Sequence, residues 1–209
     1  MLVWVWVLPL AAQVELGGGL ALLRLYGSDD SGWRVGAAAT AGLRLHELWW
    51  AEAALVRRPW QSFHTQESYR RSDPGRQPAE VFRTVDGESD WLQVGLALRG
   101  IAVPVGGRRR HLQYYGRVEA GWLAYRYRLN RPEVPMGFVA DLPVADRWAS
   151  VYVQPGAGVE WLYRRLKPYL QVGACLPLLR PDVPAGTNLS LASSFSGVVG
   201  LRIEIGKRK

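Results

Sequence analysis

Apolar and polar residues alternate along most of the chain with a period of two. Between 33 and 46, apolar and small residues occupy the odd positions, while most even positions carry arginine, glycine, threonine or histidine. This period is typical of a β-strand with one apolar and one polar face, and no helical period competes with it. The pattern recurs in eight segments, at 14–26, 33–46, 49–60, 91–103, 112–129, 148–163, 167–179 and 191–205. The sequence therefore predicts an all-β domain of eight strands.

The connections between these segments alternate in length. Short turns are predicted at 47–48, 105–110 and 164–166, and longer links at 27–32, 61–90, 130–147 and 180–190. Outer-membrane barrels have an even number of strands, short periplasmic turns and longer external loops. If the first strand starts at the periplasmic end, every short turn falls at that end. The loop lengths therefore favour an eight-stranded, antiparallel, up-and-down transmembrane β-barrel.

Three observations indicate that the polar face lines the lumen. It carries charges of both signs, and it is rich in glycine, which relieves crowding in a narrow barrel: Gly36, Gly42, Gly95, Gly121, Gly156, Gly158, Gly173 and Gly200. Aromatic residues gather near the strand ends, where an interfacial girdle would place them: Tyr26, Trp33, Trp49, Trp50, Trp60, Trp91, Tyr125, Tyr127, Trp148, Trp161 and Tyr163. The valine-rich and leucine-rich face is then predicted to meet lipid.

The interior of an eight-stranded barrel is just wide enough for side chains to fill it. We therefore expect the polar face to form a structural ladder of paired and bridged groups in the lumen and to leave no open channel. The predicted members are Arg34, Arg44, Glu52, Gln93, Arg99, Arg117, Glu119, Gln154, Glu160, Gln171, Arg202 and Glu204.

The charge, the cysteine count and the N-terminal segment argue against some classes of function. The formal net charge is +8, but the basic residues are spread through the β pattern and match no nucleic-acid-binding motif, so no nucleic-acid partner is expected. The single cysteine, Cys175, excludes an intramolecular disulfide and is predicted to be a packed thiol. Residues 1–12 contain an apolar run followed by Ala11 and Ala12, and they are predicted to be a signal peptide. Residues 13–209 then form one barrel domain.

Candidate chemistry is sparse. The segment 61–68 brings Ser62, His64 and Glu67 close together in sequence, which raises the possibility of a hydrolase set on the outer rim of the barrel. Residues this close in sequence are far more often a polar loop stem. Histidines, cysteines and carboxylates do not cluster with metal-ligand spacing. No catalytic, metal-binding or cofactor-binding residues are therefore predicted.

The strand series, the signal-like start, "WWAEAALVRR" at 49–58, "ADRWASVYVQPGAGVEWLYRRLKPYLQVGACL" at 145–176 and "VVGLRIEIG" at 198–206 together resemble the small outer-membrane β-barrel domain family. These are the porin-like or PorT-like barrels of Gram-negative bacteria. The resemblance implies residence in the outer membrane, contact with outer-membrane lipids and insertion by the outer-membrane assembly machinery. No catalytic motif takes part in it.

The function predicted from these observations is a structural or binding role through the external loops, mainly 61–90 and 130–147, toward a ligand or partner that the sequence does not identify. Three alternatives remain open at this point. A soluble lipocalin-like carrier would enclose an apolar ligand. A lipid hydrolase would act at the rim through Ser62 and His64. A narrow pore would conduct small solutes.

Overall fold

The computed structural model describes residues 13–26, 33–72, 79–102, 111–130, 133–134, 136–140, 145–179 and 193–206. Its strands are β1 (Val14–Tyr26), β2 (Arg34–His46), β3 (Trp49–Arg71), β4 (Glu80–Ala102), β5 (Leu112–Asn130), β6 (Phe138–Ala140), β7 (Ala145–Trp161), β8 (Leu166–Pro177) and β9 (Ser193–Ile205). The predicted signal segment, 1–12, lies outside the described residues. Among those described, none forms a helix with the length and apolar character needed to cross a bilayer.

The strands close into a ring. They pair in the order β2-β1-β9-β8-β7-β5-β4-β3, and β2 also pairs with β3, so eight strands form a cylinder in which every pairing is antiparallel. Both chain ends of the described barrel, Gln13 and Gly206, lie at the end that holds the turns β2–β3 and β7–β8. The short strand β6 lies outside the ring and pairs with the end of β3. The predicted eight-stranded up-and-down barrel is confirmed.

The alternating faces have the inside-out arrangement that the sequence predicts. On β9, Val199, Leu201 and Ile203 are exposed on the outer wall, whereas Arg202 and Glu204, at the alternate positions, are buried in the lumen. Leu96 on β4 is 74% exposed, and Arg99 on the same strand is fully buried. A soluble lipocalin-like carrier would have the reverse arrangement, with its apolar side chains turned inward.

The apolar outer wall has the height of a bilayer core. On β5 the outward positions from Tyr114 to Ala124 carry only apolar residues or glycine. Ten residues at a rise of about 3.4 Å, tilted by about 40°, cross roughly 26 Å. The apolar band of outer-membrane barrels is about 25 Å tall. The surface is therefore that of a chain that spans a membrane.

The hairpin of β3 and β4 is longer than predicted. The segment 61–90 was expected to be a loop, but the two strands stay paired from Gln61 opposite Ser89 to Arg70 opposite Glu80, after a register shift that follows Arg58. Beyond the membrane both faces of a hairpin can be polar, so the apolar period of two disappears although the strand continues. The link predicted at 130–147 likewise contains β6 and the start of β7.

Candidate functional site

Arg99 is the centre of an ion-pair network in the half of the lumen nearest the turns β2–β3 and β7–β8. Its guanidinium donates from Nη1 to Glu160 Oε2 at 2.6 Å and lies 2.7 Å, through Nε, from Glu52 Oε1. A third buried carboxylate, Glu15, also contacts Arg99. Because the side chain of Arg99 is fully buried, it can be accommodated only with such partners. Sheet closure brings these residues together, since they come from β1, β3, β4 and β7.

Further ion pairs extend the network around the lumen. Arg202 donates to Glu160 at 3.1 Å and lies 3.9 Å from the ring centroid of Tyr169. Arg117 bonds Glu52 at 2.9 Å and also pairs with Glu119. Lys167 pairs with Glu15, and with Glu204 at 3.0 Å. The connected groups are four cations and five carboxylates: Arg99, Arg117, Lys167, Arg202, Glu15, Glu52, Glu119, Glu160 and Glu204.

The structure buries eleven of the twelve predicted ladder residues in the lumen: Arg34, Glu52, Gln93, Arg99, Arg117, Glu119, Gln154, Glu160, Gln171, Arg202 and Glu204. The twelfth, Arg44, lies half-buried at the mouth of the barrel near the turn β2–β3 and donates to the backbone carbonyls of His46 and Glu47. Gln93 bridges Glu119 at 3.1 Å and Gln154 at 2.8 Å. Arg34 lies toward the external end and bonds Ser89 Oγ at 3.0 Å.

Sequence reasoning missed two members of the network, Glu15 and Lys167. Lys167 was predicted to begin a strand directly after a short turn and was not assigned to the lumen, yet its side chain reaches into the lumen. Glu15 is the one carboxylate in an apolar run, and the alternation of inward and outward side chains along the strand could have identified it. Its neighbours Val14 and Leu16 face outward, so Glu15 faces inward.

Three tyrosines occupy the lumen opposite glycines. Tyr115 is paired across strands with Gly158, Tyr152 with Gly121, and Tyr169 with Gly200. A Cβ atom added at Gly200 would lie 2.8 Å from the ring of Tyr169, which leaves no room for a side chain there. The lumen glycines therefore make space for large neighbours, in agreement with the crowding argument made from the sequence.

The external half of the lumen is filled differently. A buried cluster of four aromatic and five other apolar side chains occupies it, comprising Leu23, Val85, Trp91, Leu123, Tyr125, Tyr127, Leu129, Tyr152 and Cys175. A cavity of about 20 Å³ is lined by Gln93, Arg117 and neighbouring lumen residues. Such a volume holds about one water molecule. At the level of this cavity, the described side chains therefore fill most of the cross-section of the lumen.

The aromatic residues predicted for the interfacial girdle divide between two locations. Trp33, Trp49, Trp60, Trp161 and Tyr163 are exposed on the outside. Trp50, Trp91, Tyr125 and Tyr127 instead point into the lumen, so the girdle prediction is wrong for them. The alternation of side chains along a strand explains the error, because neighbours such as Trp49 and Trp50 must point to opposite faces. The side chains of Tyr26 and Trp148 lie outside the described residues.

Above the apolar band, the outer wall becomes polar. Arg57 lies 2.9 Å from Asp90, Arg128 lies 2.6 Å from Glu88, and Arg70 lies 4.0 Å from Glu80. The guanidinium of Arg128 also lies 4.7 Å from the ring centroid of Trp60. These pairs join β3 to β4 and β4 to β5. They lie on the part of the sheet beyond the apolar band.

The hydrolase set considered from the sequence is not assembled. Ser62 and His64 lie on the exposed face of β3, but Glu67 is buried on the opposite face and accepts a hydrogen bond from Tyr69 at 2.8 Å. The carboxylate next to the imidazole is instead that of Asp86 on β4, with 2.6 Å between His64 Nδ1 and Asp86 Oδ1. Within the described ranges, no group of three His, Cys, Asp or Glu side chains is arranged to hold a metal ion.

Comparisons with known proteins give a match in the fold. No family model and no curated protein matches the chain. Ail of Yersinia pestis, crystallised with the heparin analogue sucrose octasulfate, is similar with a TM-score of 0.51 at 10% identity, covering 93% of this chain and 99% of Ail. Neisserial surface protein A (TM-score 0.47, 9% identity, 94% and 97% covered) and OprG of Pseudomonas aeruginosa (0.47, 12%, 94% and 97%) are also similar. The likeness to Ail supports the predicted fold, a small barrel of the outer-membrane type.

Proposed function

We propose that this chain is an outer-membrane protein whose sealed barrel holds a rigid external hairpin in position to bind a partner. The observation that carries the proposal is the continued pairing of β3 and β4 beyond the apolar band, from Gln61 to Arg71 on one strand and from Glu80 to Ser89 on the other. A filled lumen supports a role outside the barrel rather than transport through it.

The exposed surface of this hairpin indicates the chemistry of the partner. Its outer face carries both charge signs, with Arg70 beside Glu80 and with Asp86 nearby, so a polar partner fits better than an apolar one. The Ail complex shows that a polyanion can bind a protein with this fold. For the present chain, the mixed charges favour a polar macromolecule, such as a host or bacterial surface glycan or protein.

The test is a hairpin deletion. A variant in which 62–88 is replaced by an Asn-Gly turn keeps every barrel strand through the membrane, so it should still run differently on gels when boiled and unboiled. Whole cells that display the full chain should bind immobilised glycans or cell-surface proteins, and cells that display the shortened chain should not. Equal binding by the two strains, at equal surface abundance, would contradict the proposal.

A second candidate function is lipid hydrolysis at the rim. Asp86 can hold the His64 ring through Nδ1, and Ser62 lies on the same strand face two residues away. This candidate predicts that the refolded protein releases fatty acid from phospholipid or lipid A in mixed micelles, and that Ser62→Ala and His64→Ala each abolish the release. The binding proposal predicts no release by the unmodified chain.

A further inference from the structure

An open cavity lies on the outward face of the sheet, beyond the apolar band. Its volume is about 590 Å³. Small-molecule pockets in proteins typically measure about 300–1,000 Å³. The residues that line the cavity include six polar side chains: Ser62, His64, Asp86, Glu88, Arg128 and Asn130. We call these six residues the three-strand pocket, because β3, β4 and β5 each contribute two of them.

The register of the three strands arranges the pocket in two rows. Each row runs from β3 across β4 to β5. One row consists of Ser62, Glu88 and Arg128, and the other of His64, Asp86 and Asn130. Neighbouring strands lie about 4.8 Å apart and residues two positions apart on a strand about 7 Å apart, so the six groups cover about 10 Å by 7 Å. The sheet therefore presents a compact grid of hydrogen-bonding groups to the outside.

Neighbouring groups hold two of the pocket side chains in fixed orientations. Arg128 donates from Nε to Glu88 Oε2 at 2.8 Å, and its Nη2 lies 2.6 Å from the same oxygen. The guanidinium also lies 4.7 Å from the ring centroid of Trp60. His64 Nδ1 lies 2.6 Å from Asp86 Oδ1. All four of these polar side chains are nevertheless between 45% and 70% exposed, so a ligand can reach them. Because they are already oriented, binding costs less side-chain entropy.

We propose that the three-strand pocket binds a neutral saccharide through its hydroxyl groups. A carboxylate only accepts hydrogen bonds, a guanidinium only donates them, and an amide does both. Glu88 and Arg128 lie side by side in one row, and Asp86 and Asn130 lie side by side in the other. A hydroxyl group both donates and accepts, so neighbouring hydroxyls of one sugar can satisfy both kinds of group.

The same reasoning disfavours sulfate and phosphate groups as ligands of this pocket. Once ionised, their oxygens only accept hydrogen bonds, and they would face the carboxylates of Asp86 and Glu88, which also only accept. The inference rests on the proposed binding role of the external hairpin, and it names the class of ligand and the residues that contact it.

The height of the pocket allows two sources of saccharide. Leu92 is the last apolar outward position on β4, and Glu88 and Asp86 lie four and six residues beyond it. At a rise of about 3.4 Å per residue and a tilt of about 40°, the two rows are roughly 10–16 Å above the apolar band. The headgroup of an outer-leaflet glycolipid and the end of a free glycan both reach this height.

The experiment uses the full chain refolded in lauryldimethylamine oxide, a detergent without a sugar headgroup. The probes are four neutral trisaccharides, namely maltotriose, mannotriose, galactotriose and chitotriose in its N-acetylated form, with Kd measured by calorimetry. At least one should bind, and Asp86→Ala should weaken that binding at least about 10-fold, the loss expected for one hydrogen bond to a charged group. Glu80→Ala is the matched control, because Glu80 lies on the same face of β4 outside the pocket, and it should leave Kd unchanged.

Three results would overturn the inference: no binding of any of the four trisaccharides, an equal Kd for Asp86→Ala and Glu80→Ala, or tighter binding of a sulfated form of the bound trisaccharide. Should Asp86→Ala fail to fold, Asn130→Ala decides the matter. It removes the neighbouring amide of the same row, so an unchanged Kd would refute the inference.

Two further comparisons separate the source of the sugar and the underlying role of the hairpin. A lower Kd for a diacylglycerol that carries the bound trisaccharide supports the pocket as a glycolipid site, and an equal Kd supports it as a site for free glycans. If deletion of the hairpin abolishes binding by whole cells while Asp86→Ala and Asn130→Ala leave Kd unchanged, this inference fails and the proposed function stands. If the deletion leaves cell binding unchanged, the proposed function fails, whatever the Kd values of the pocket variants.

Discussion

Replacing Arg99 with methionine should strongly destabilise the barrel without changing its outer surface. Methionine keeps much of the length of the side chain but removes the charge that Glu15, Glu52 and Glu160 share. Glu15 and Glu160 each retain one other cation, and Glu52 retains two. The network already has one more carboxylate than cations, and the substitution increases that excess.

Removing one partner of a buried ion pair typically costs about 3–5 kcal/mol, and we expect a loss of this order because the substitution enlarges the excess of buried negative charge. Domains have total stabilities of about 5–15 kcal/mol, so this loss is a large fraction. For a chain of this size, a loss of 3–5 kcal/mol lowers the unfolding midpoint by roughly 6–20 °C. Adding Glu160→Gln to Arg99→Met restores the wild-type balance of charges and should recover part of the lost stability.

The assay is the temperature at which the refolded barrel converts from its compact to its unfolded gel mobility in detergent. Arg70→Met serves as the matched control, because Arg70 is exposed and lies 4.0 Å from Glu80. An exposed pair contributes about 0–1 kcal/mol, so the control should shift little. Equal falls in the conversion temperature for Arg99→Met and Arg70→Met would refute the reasoning. A double variant whose conversion temperature falls by the sum of the falls caused by Arg99→Met alone and Glu160→Gln alone would also refute it.

Three further predictions follow from the barrel wall and lumen. Leu96→Arg should cost about 2–4 kcal/mol in lipid vesicles, because this exposed residue lies within the apolar band, whereas Met136→Arg, in an external link, should cost nothing measurable by urea titration. Gly158→Ala should lower the unfolding midpoint, because the new methyl group would lie 2.7 Å from the carbonyl oxygen of Leu170, whereas Gly116→Ala meets nothing within 4 Å and should leave it unchanged. In planar bilayers the purified protein should show no stepwise conductance, since the cavity beside Gln93 and Arg117 holds about one water.

The strand count, the ring closure and the inside-out faces were predictable because a membrane imposes period-two patterning on every strand that crosses it. The same reasoning failed where the membrane no longer acts. Residues 61–71 form a regular strand, but the pairs that stabilise this part of the hairpin are polar, such as His64 with Asp86. A polar strand and a polar loop then have the same composition.

Which lumen groups contact each other could be predicted only in part. Alternation shows that Arg99 and Glu160 both face inward, but the contact between them depends on the shear of a closed cylinder, which no local pattern specifies. The aromatic cluster was missed for a related reason. Trp91 and Tyr125 were assigned to the lipid interface by residue type, although their parity places them in the lumen.

The rigidity of the external hairpin follows from the part of it that lies in the membrane. A two-stranded hairpin is marginally stable on its own in water. Here β3 and β4 enter the solvent with a register already fixed inside the ring, where a slip of one residue would turn Arg99 toward lipid at a cost of about 2–4 kcal/mol. The polar pairs of the outer part, such as His64 with Asp86, therefore need not hold the strands together. Removing both members of one such pair, His64 and Asp86, should therefore alter partner binding while leaving the unfolding midpoint of the barrel within experimental error, and a large fall in that midpoint would show that the hairpin is stabilised locally instead.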